Sequence, residues 1–229
     1  MIKHLACIQD GNRRFAKSKG WLPWYGHREG IKATLRVVDF CLENNIRYLS
    51  LYTFSIENFR RSFEEVKYLF SLIEDESEEM LKMSREKNIQ IKFIGDRTLF
   101  PATLIPVCDR LEQETKDNTA LQVNLLFCYG ARQEVTSGVK EIIKKIRTGE
   151  LSEDDINPEV VEQHLWLHDV PAPELIIRTG GVKRLSNFLL YQAAYSELCF
   201  LDCLWPELTT QHLHDAFANY QVQQRNFGT

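Results

Sequence analysis

A single α/β domain over residues 1–229, with a mostly parallel six-stranded sheet flanked by helices, is predicted by three observations. Short runs of β-branched and apolar residues alternate with longer segments of helical period, the signature of strand–helix units. One of the strand runs, Leu121–Tyr129, is almost continuously apolar, as befits a strand covered on both faces. No low-complexity linker divides the chain, and 229 residues with 44% hydrophobic and 11% aromatic content suit one globular core.

In chain order, strands are expected at His4–Ile8, Tyr48–Phe54, Ile89–Gly95, Leu121–Tyr129, Glu174–Thr179 and Leu198–Leu204. Ile31, Leu35, Val38 and Leu42 recur at helical spacing between the first two. Phe63, Val66, Leu69, Phe70, Ile73, Met80 and Leu81 do so in the longest helix, where the acidic run EDESEE reads as a solvated face. Further helices are expected from Pro101 to Asp117, Arg132 to Arg147, Pro158 to Leu167 and Thr209 to Arg225, each opened by Pro, Ser/Thr or a turn residue. The polar stretch TGELSEDDINP reads as an ordinary connection between helices.

Charge narrows the partners. With 28 Lys+Arg against 32 Asp+Glu the chain carries a formal net charge of -4, so it lacks the broad positive field that nucleic acid needs. An anionic ligand must instead be held by locally placed arginines and backbone N–H groups. The cysteines (Cys7, Cys41, Cys108, Cys128, Cys199, Cys203) form no C-x-x-C pair, and they read as reduced thiols of a cytoplasmic protein rather than zinc ligands. No apolar run approaches the roughly 18 residues of a membrane span.

In an open parallel sheet, ligands bind beyond the carboxyl ends of the strands. Those positions are unusually polar here: Asp10-Gly11-Asn12-Arg13-Arg14-Phe15 after the first strand, Ser55-Ile56-Glu57-Asn58-Phe59-Arg60-Arg61 after the second, Tyr129-Gly130-Ala131-Arg132 after the fourth, and Arg178-Thr179-Gly180-Gly181 through Ser186-Asn187 after the fifth. Glycine admits backbone N–H groups closely, helix N-termini add partial positive charge, and arginine offers a planar fork, which together suit phosphate. Asp10 among these arginines would suit a hard cation such as Mg²⁺ bridging to phosphates. Taken singly, each motif also reads as a turn or a helix cap. Taken together, Arg13, Arg14, Arg61, Arg178 and Arg184 on one sheet edge would repel one another unless an anion compensates them. The G-x-G-x-x-G, P-loop, G-x-S-x-G and H-E-x-x-H patterns are all missing, which removes the corresponding nucleotide, hydrolase and zinc-protease readings.

With DGNRRFAK, GHREG, FSIENFRR, RTGGVKRLSNFLLYQ and YSELCFLDCLWP in this order, the chain resembles the cis-prenyltransferases, close to bacterial undecaprenyl diphosphate synthases, from about His4 to Gly228. The resemblance implies a homodimeric, Mg²⁺-dependent enzyme that condenses isopentenyl diphosphate onto an allylic diphosphate, usually farnesyl diphosphate, to give a long polyprenyl diphosphate. By matching position, Asp10 is the essential aspartate and a metal ligand, and Gly11, Asn12, Arg13, Arg14, Phe15 and His27 line the allylic diphosphate site. Ser55, Ile56, Glu57, Asn58, Phe59 and Arg61 match the next motif, in which Asn58 assists proton removal or orients the isopentenyl substrate. Arg178, Arg184, Leu185 and Ser186 match the isopentenyl diphosphate clamp, and Glu197 matches a second carboxylate assigned to Mg²⁺. Leu51, Thr53, Phe54, Leu69 and Ile73 stand either as walls of a product groove or as plain core. A long polyprenyl product implies transient contact with the inner face of the membrane.

The departures are Gln9 for Met, Phe15 and Phe59 for Trp, Pro23 for an Arg four residues before His27, Val182 for an acidic residue, and Asn226-Phe227-Gly228 for an Arg-x-Gly arm. They bear on affinity and substrate preference, since Asp10, Asn58, Arg178 and Arg184 are all present. A short- or medium-chain synthase is the alternative within the class, and a non-catalytic partner subunit the alternative outside it. The intact DGN-x-R and S-x-E-N motifs argue against the second.

Overall fold

The computed structural model describes residues 2–222. The strands β1 (His4–Ile8), β2 (Tyr48–Ser55), β3 (Ile89–Ile94), β4 (Leu121–Tyr129), β5 (Leu175–Arg178) and β6 (Glu197–Phe200) form one sheet in the order β3-β4-β2-β1-β5-β6. Every neighbouring pair is parallel, so the mostly parallel expectation sharpens to all-parallel. The helices are α1 (Asn12–Ser18), α2 (Tyr25–Glu43), α3 (Phe63–Lys87), α4 (Ile105–Thr115), α5 (Ala131–Thr148), α6 (Pro158–Gln163) and α7 (Thr210–Val222). None of these is long and apolar enough to cross a membrane.

Strand alternation sorts the core into two layers. Leu5, Cys7, Leu49, Leu51, Val123 and Leu125 face α2, α3, α4 and α7, and Ala6, Ile8, Leu126 and Ile176 face the side carrying Ala131, Leu167, Val170 and Phe188. From β1 the chain builds outward through β2 to β3 and β4, then returns to the other side of β1 for β5 and β6. The border between β1 and β5 is therefore the point where strand progression reverses, the place where an open sheet leaves a crevice at its carboxyl edge.

Three expected elements change their bounds by several residues, and one helix appears that was not expected. The sixth strand occupies Glu197–Phe200 instead of Leu198–Leu204, because its partner β5 is only four residues long and the ladder ends with it. Beyond Phe200 the chain turns over the sheet edge, Leu201 N–H donating to Arg178 O (2.8 Å) and Trp205 N–H to Asp10 O (3.0 Å). α4 starts at Ile105 because residues 101–104 form a turn closed on the Pro101 carbonyl. α6 stops at Gln163, four residues short of the expected Leu167. α1, where only a strand-exit loop was foreseen, is a helix that turns the DGN-x-R motif into one charged face. The expected continuation of the last helix to Arg225, and the Asn226-Phe227-Gly228 arm, lie outside the described residues.

Candidate active site

The site is assembled around Asp10, the second residue beyond β1. Its carbonyl accepts from Thr179 Oγ1 (2.7 Å) and Trp205 N–H (3.0 Å), which ties three loops to one backbone group. Its carboxylate accepts from Arg178 Nη2 at 2.8 Å on one oxygen and from Arg14 Nη2 at 3.2 Å on the other. Gly180 is required here. Its φ is +86°, and a Cβ would stand 2.2 Å from Arg14 Nη2, whose neighbour Nη1 donates to Gly180 O at 2.8 Å.

On one side of Asp10 lies a cavity of about 460 Å³, lined by the Gly11–Arg14 segment, Lys17, Pro23, His27 and Arg61. The GHREG motif serves packing there. A Cβ on Gly26 would lie 1.9 Å from Asn12 O and one on Gly30 2.5 Å from Asn12 Oδ1, so two glycines one turn apart let α1 press against α2 and bring its arginines to His27. Burial and then the nearby Arg61 and Arg13 charges depress the His27 pKa to about 3, so the imidazole is neutral at physiological pH. Its Nε2 is buried and has no hydrogen-bond partner among the described residues.

Glu65, at 3% exposure, is the residue that sequence reasoning missed. It accepts from Arg61 Nη1 at 3.0 Å and lies 3.5 Å from Arg13 Nε. The arginine repulsion expected from sequence is thus met in part by the protein itself, Asp10 answering Arg14 and Arg178, and Glu65 answering Arg13 and Arg61. The i,i+4 spacing of Arg61 and Glu65 on a helix start was the signal available. Lys17 was missed because it joins Arg13 and Arg14 only once residues 12–18 are helical.

On the other side of Asp10, Arg178 is 5% exposed and donates through Nη1 to Ser186 Oγ (2.8 Å) and to the Arg184 carbonyl. Arg184 Nε reaches the same Ser186 Oγ at 3.2 Å. Leu185 packs into the second core layer and anchors this loop. In the Ser55–Arg61 segment, Ser55 N–H donates to Asn58 Oδ1 (3.1 Å), so that oxygen caps the turn, with Ile56 half-buried inside it. Phe59 packs edge-on against Phe54 at 5.0 Å and holds the segment to the sheet. Glu57 accepts from Asn187 Nδ2 at 2.9 Å.

Glu197 is not brought to Asp10 within the chain. It pairs with Leu175 at the start of β5, whereas Arg178, which touches Asp10, pairs with Phe200. The separation along the strand is therefore about 10 Å. Among the described residues no group of three or more His, Cys, Asp or Glu side chains could cage a metal ion. A divalent cation here would take one carboxylate from the chain, that of Asp10, and its other ligands would have to come from substrate and water.

From the same point a groove of about 280 Å³ runs between α2, α3 and the sheet. The five candidate wall residues Leu51, Thr53, Phe54, Leu69 and Ile73 all line it, from Asn58 and Arg61 at the charged end to Ser84, Ile89 and Val123. The acidic run EDESEE is a solvated face as expected, Glu78 pairing with Arg110 at the surface, while Glu76 and Glu79 also border the groove. A charged end opening into a long apolar groove suits an amphiphile with an anionic head.

Comparison with known proteins agrees with this geometry. The family model "Putative undecaprenyl diphosphate synthase" matches residues 8–228. An isoprenyl transferase of Halalkalibacterium halodurans is 42% identical over 226 residues, covering 99% of this chain and 88% of its own. A tritrans,polycis-undecaprenyl-diphosphate synthase of Thermococcus kodakarensis, specific for geranylgeranyl diphosphate, is 38% identical over 99% of this chain and 86% of its own. Among solved structures, lavandulyl diphosphate synthase from Lavandula x intermedia in complex with dimethylallyl diphosphate superposes with a TM-score of 0.96 at 32% identity, covering 100% of this chain and 98% of the other.

Proposed function

The chain belongs to the undecaprenyl diphosphate synthase family of prenyltransferases, and from that premise we propose that it condenses isopentenyl diphosphate repeatedly onto an allylic diphosphate to give a long cis-polyprenyl diphosphate. The observation that carries this reading is the position of Asp10, its carboxylate bridged to Arg14 on one side and Arg178 on the other, in a charged cavity that shares Gln9, Asn12, His27 and Arg61 with an apolar groove. Two diphosphates held on the two sides of one carboxylate are what head-to-tail condensation requires.

Arg13, Arg14, Lys17 and the neutral His27 hold the allylic diphosphate, whose C–O bond breaks as the leaving group is neutralised. Each charge-assisted hydrogen bond contributes about 1.5–3 kcal/mol. Asp10 would hold a Mg²⁺ ion, which when bound would supply further neutralisation of the departing diphosphate. Arg178, Arg184 and Ser186 hold isopentenyl diphosphate so that its double bond meets the allylic carbon. The new C–C bond forms, and a proton leaves the isopentenyl unit for an oxygen of the released diphosphate, the base that the reaction itself supplies. Asn58 orients that substrate rather than serving as the base, because its Oδ1 is already engaged by the Ser55 N–H and an amide oxygen is too weakly basic. Glu197 enters the metal site only through a contact that the β5–β6 register does not provide within one chain.

The growing chain lies along Leu51, Phe54, Leu69 and Ile73. We assign homodimer contact to the free side of edge strand β6, beside which Leu190, Tyr195 and Leu198 are exposed. Release of the product at the membrane is assigned to exposed Trp21, Leu22 and Tyr25 beside the charged cavity and to Phe63 at the start of α3. Incubation with isopentenyl diphosphate and dimethylallyl, geranyl, farnesyl or geranylgeranyl diphosphate, followed by mass spectrometry, tests the reading. A ladder of products extended by isoprene units is expected, its longest member giving the product length. Failure to extend any starter overturns the reading in favour of a non-catalytic subunit.

A further inference from the structure

Asn187 lies in the polar exit of the fifth strand and was given no role of its own from sequence, yet its amide joins three segments of the chain. Its backbone sits at φ +65°, next to Ser186 at +53° and two residues before Leu189 at +42°, so the loop that carries the clamp is held in a conformation L residues rarely adopt. Asparagine tolerates it because its short amide bonds locally. Here the amide has three partners. Oδ1 accepts from Arg132 N–H (2.9 Å) at the start of α5, while Nδ2 donates to Glu57 Oε1 (2.9 Å) and to Gln133 Oε1 (3.1 Å). The Arg132 N–H can only donate, so the amide is fixed with its NH₂ toward the carboxylate.

The surroundings are built to admit this amide. A Cβ on Gly130 would stand 2.6 Å from Asn187 Nδ2, so the glycine leaves the space the side chain occupies. Ala131 N–H donates to the Asn187 carbonyl at 2.9 Å, and Tyr52 Oη lies 3.3 to 3.4 Å from the carbonyls of Ser186, Asn187 and Tyr129. Resting on the reading that Arg178, Arg184 and Ser186 hold isopentenyl diphosphate, we propose that Asn187 is a positioning residue that couples this clamp to the Ser55–Arg61 segment through Glu57. The link brings two strand exits, those of β2 and β5, to a fixed separation across which one substrate can be bound.

The test is steady-state kinetics with each substrate varied in turn, alongside thermal melting. Asn187→Asp preserves the acceptor for Arg132 N–H and the tolerance of positive φ, but sets a carboxylate against Glu57. The expected result is a KM for isopentenyl diphosphate raised about tenfold with the allylic KM unchanged and the melting temperature nearly so. Gly130→Ala, which crowds the amide without altering it, should raise the same KM. Combining Asn187→Asp with Glu57→Gln restores a donor–acceptor pair and should recover most of the loss. Arg184→Ala serves as the control on the underlying reading. If it leaves the KM for isopentenyl diphosphate unmoved, the clamp assignment itself falls and the proposal with it. If Arg184→Ala raises that KM and Asn187→Asp does not, or if Asn187→Asp lowers only the melting temperature, the coupling role is overturned while the clamp stands.

Discussion

Both ends of β1 carry a buried polar cluster, and the two differ in how completely they are satisfied. At the amino end, His4 Nδ1–H donates to Pro171 O (2.6 Å), Ser50 Oγ–H donates to His4 Nε2 (2.8 Å), and Ser50 Oγ accepts from Asn124 Nδ2 (3.2 Å), whose own oxygen accepts from Gln122. Every group in that chain is paired. At the carboxyl end, Asn12 Oδ1, His27 Nε2 and Arg178 Nε are all buried and lack a partner among the described residues. Burial of an unpaired polar atom costs about 1–3 kcal/mol, so such a concentration persists where something other than stability is served. The amino end is a completed network that fixes the sheet. At the carboxyl end His27 Nε2 and Arg178 Nε are left as donors for a ligand rich in oxygen atoms, and Asn12 Oδ1 as an acceptor for water or a ligand hydroxyl.

The contrast can be broken most directly at Asp10. Asp10→Ala should lower turnover by at least about 10³-fold, because the carboxylate that would hold the metal against the departing diphosphate, and that orients Arg14 and Arg178, is lost. The accompanying stability loss should stay within about 2 kcal/mol, since Arg178 keeps Ser186 and the Arg184 carbonyl. Product formation and thermal melting read the two effects separately, and comparable losses in both would erase the distinction between the two ends.

A second effect lies in pH. Burial depresses the His4 pKa from 6.5 to about 4, outweighing its bond to Pro171, so the folded state holds this ring neutral. Between those values the unfolded chain binds the proton that the folded one refuses. Stability present above pH 6.5 is therefore lost as pH falls toward 4, by about 3 kcal/mol from His4 alone. His27, held at about 3, acts in the same direction. The two are separable with inorganic pyrophosphate, which should offset the His27 contribution and leave that of His4. Melting curves from pH 7 to 4 with and without pyrophosphate measure this, and an identical acid profile in both would deny His27 its place at an anion site.

The smallest effect is expected from Ser50→Ala, which strands His4 Nε2 and Asn124 Nδ2. Stability should fall by about 2 kcal/mol while both KM values stay within twofold. A selective change in either KM would show that the amino-end network reaches the site.

Much of this was legible in the sequence. β1 and β4 have the expected bounds because an apolar run hemmed by turn residues leaves a strand little freedom at either end. Asp10, Arg14 and Arg178 were recognisable because strand exits are where charge is otherwise out of place. β6 was misjudged because its end is set by the length of β5, a property of the partner and not of the LCFLDCL run itself. Glu65 and Asn187 escaped for a similar reason. Glu65 looks like any acidic residue in the first turn of a helix until burial shows it facing Arg13 and Arg61, and Asn187 looks like a loop residue until three segments converge on its amide.

By itself, then, the sequence determined the fold class and the strand-exit motifs, since these depend on periodicity and on local residue type, and it was the resemblance carried by those motifs that implied the chemistry. Only the tertiary structure decided which arginines answer which carboxylate, that Glu197 stands apart from Asp10 within the chain, and that an apolar groove opens beside the charged cavity. Those are relations between segments distant along the chain, and their energies exist only once folding has brought the partners within hydrogen-bonding distance and out of water.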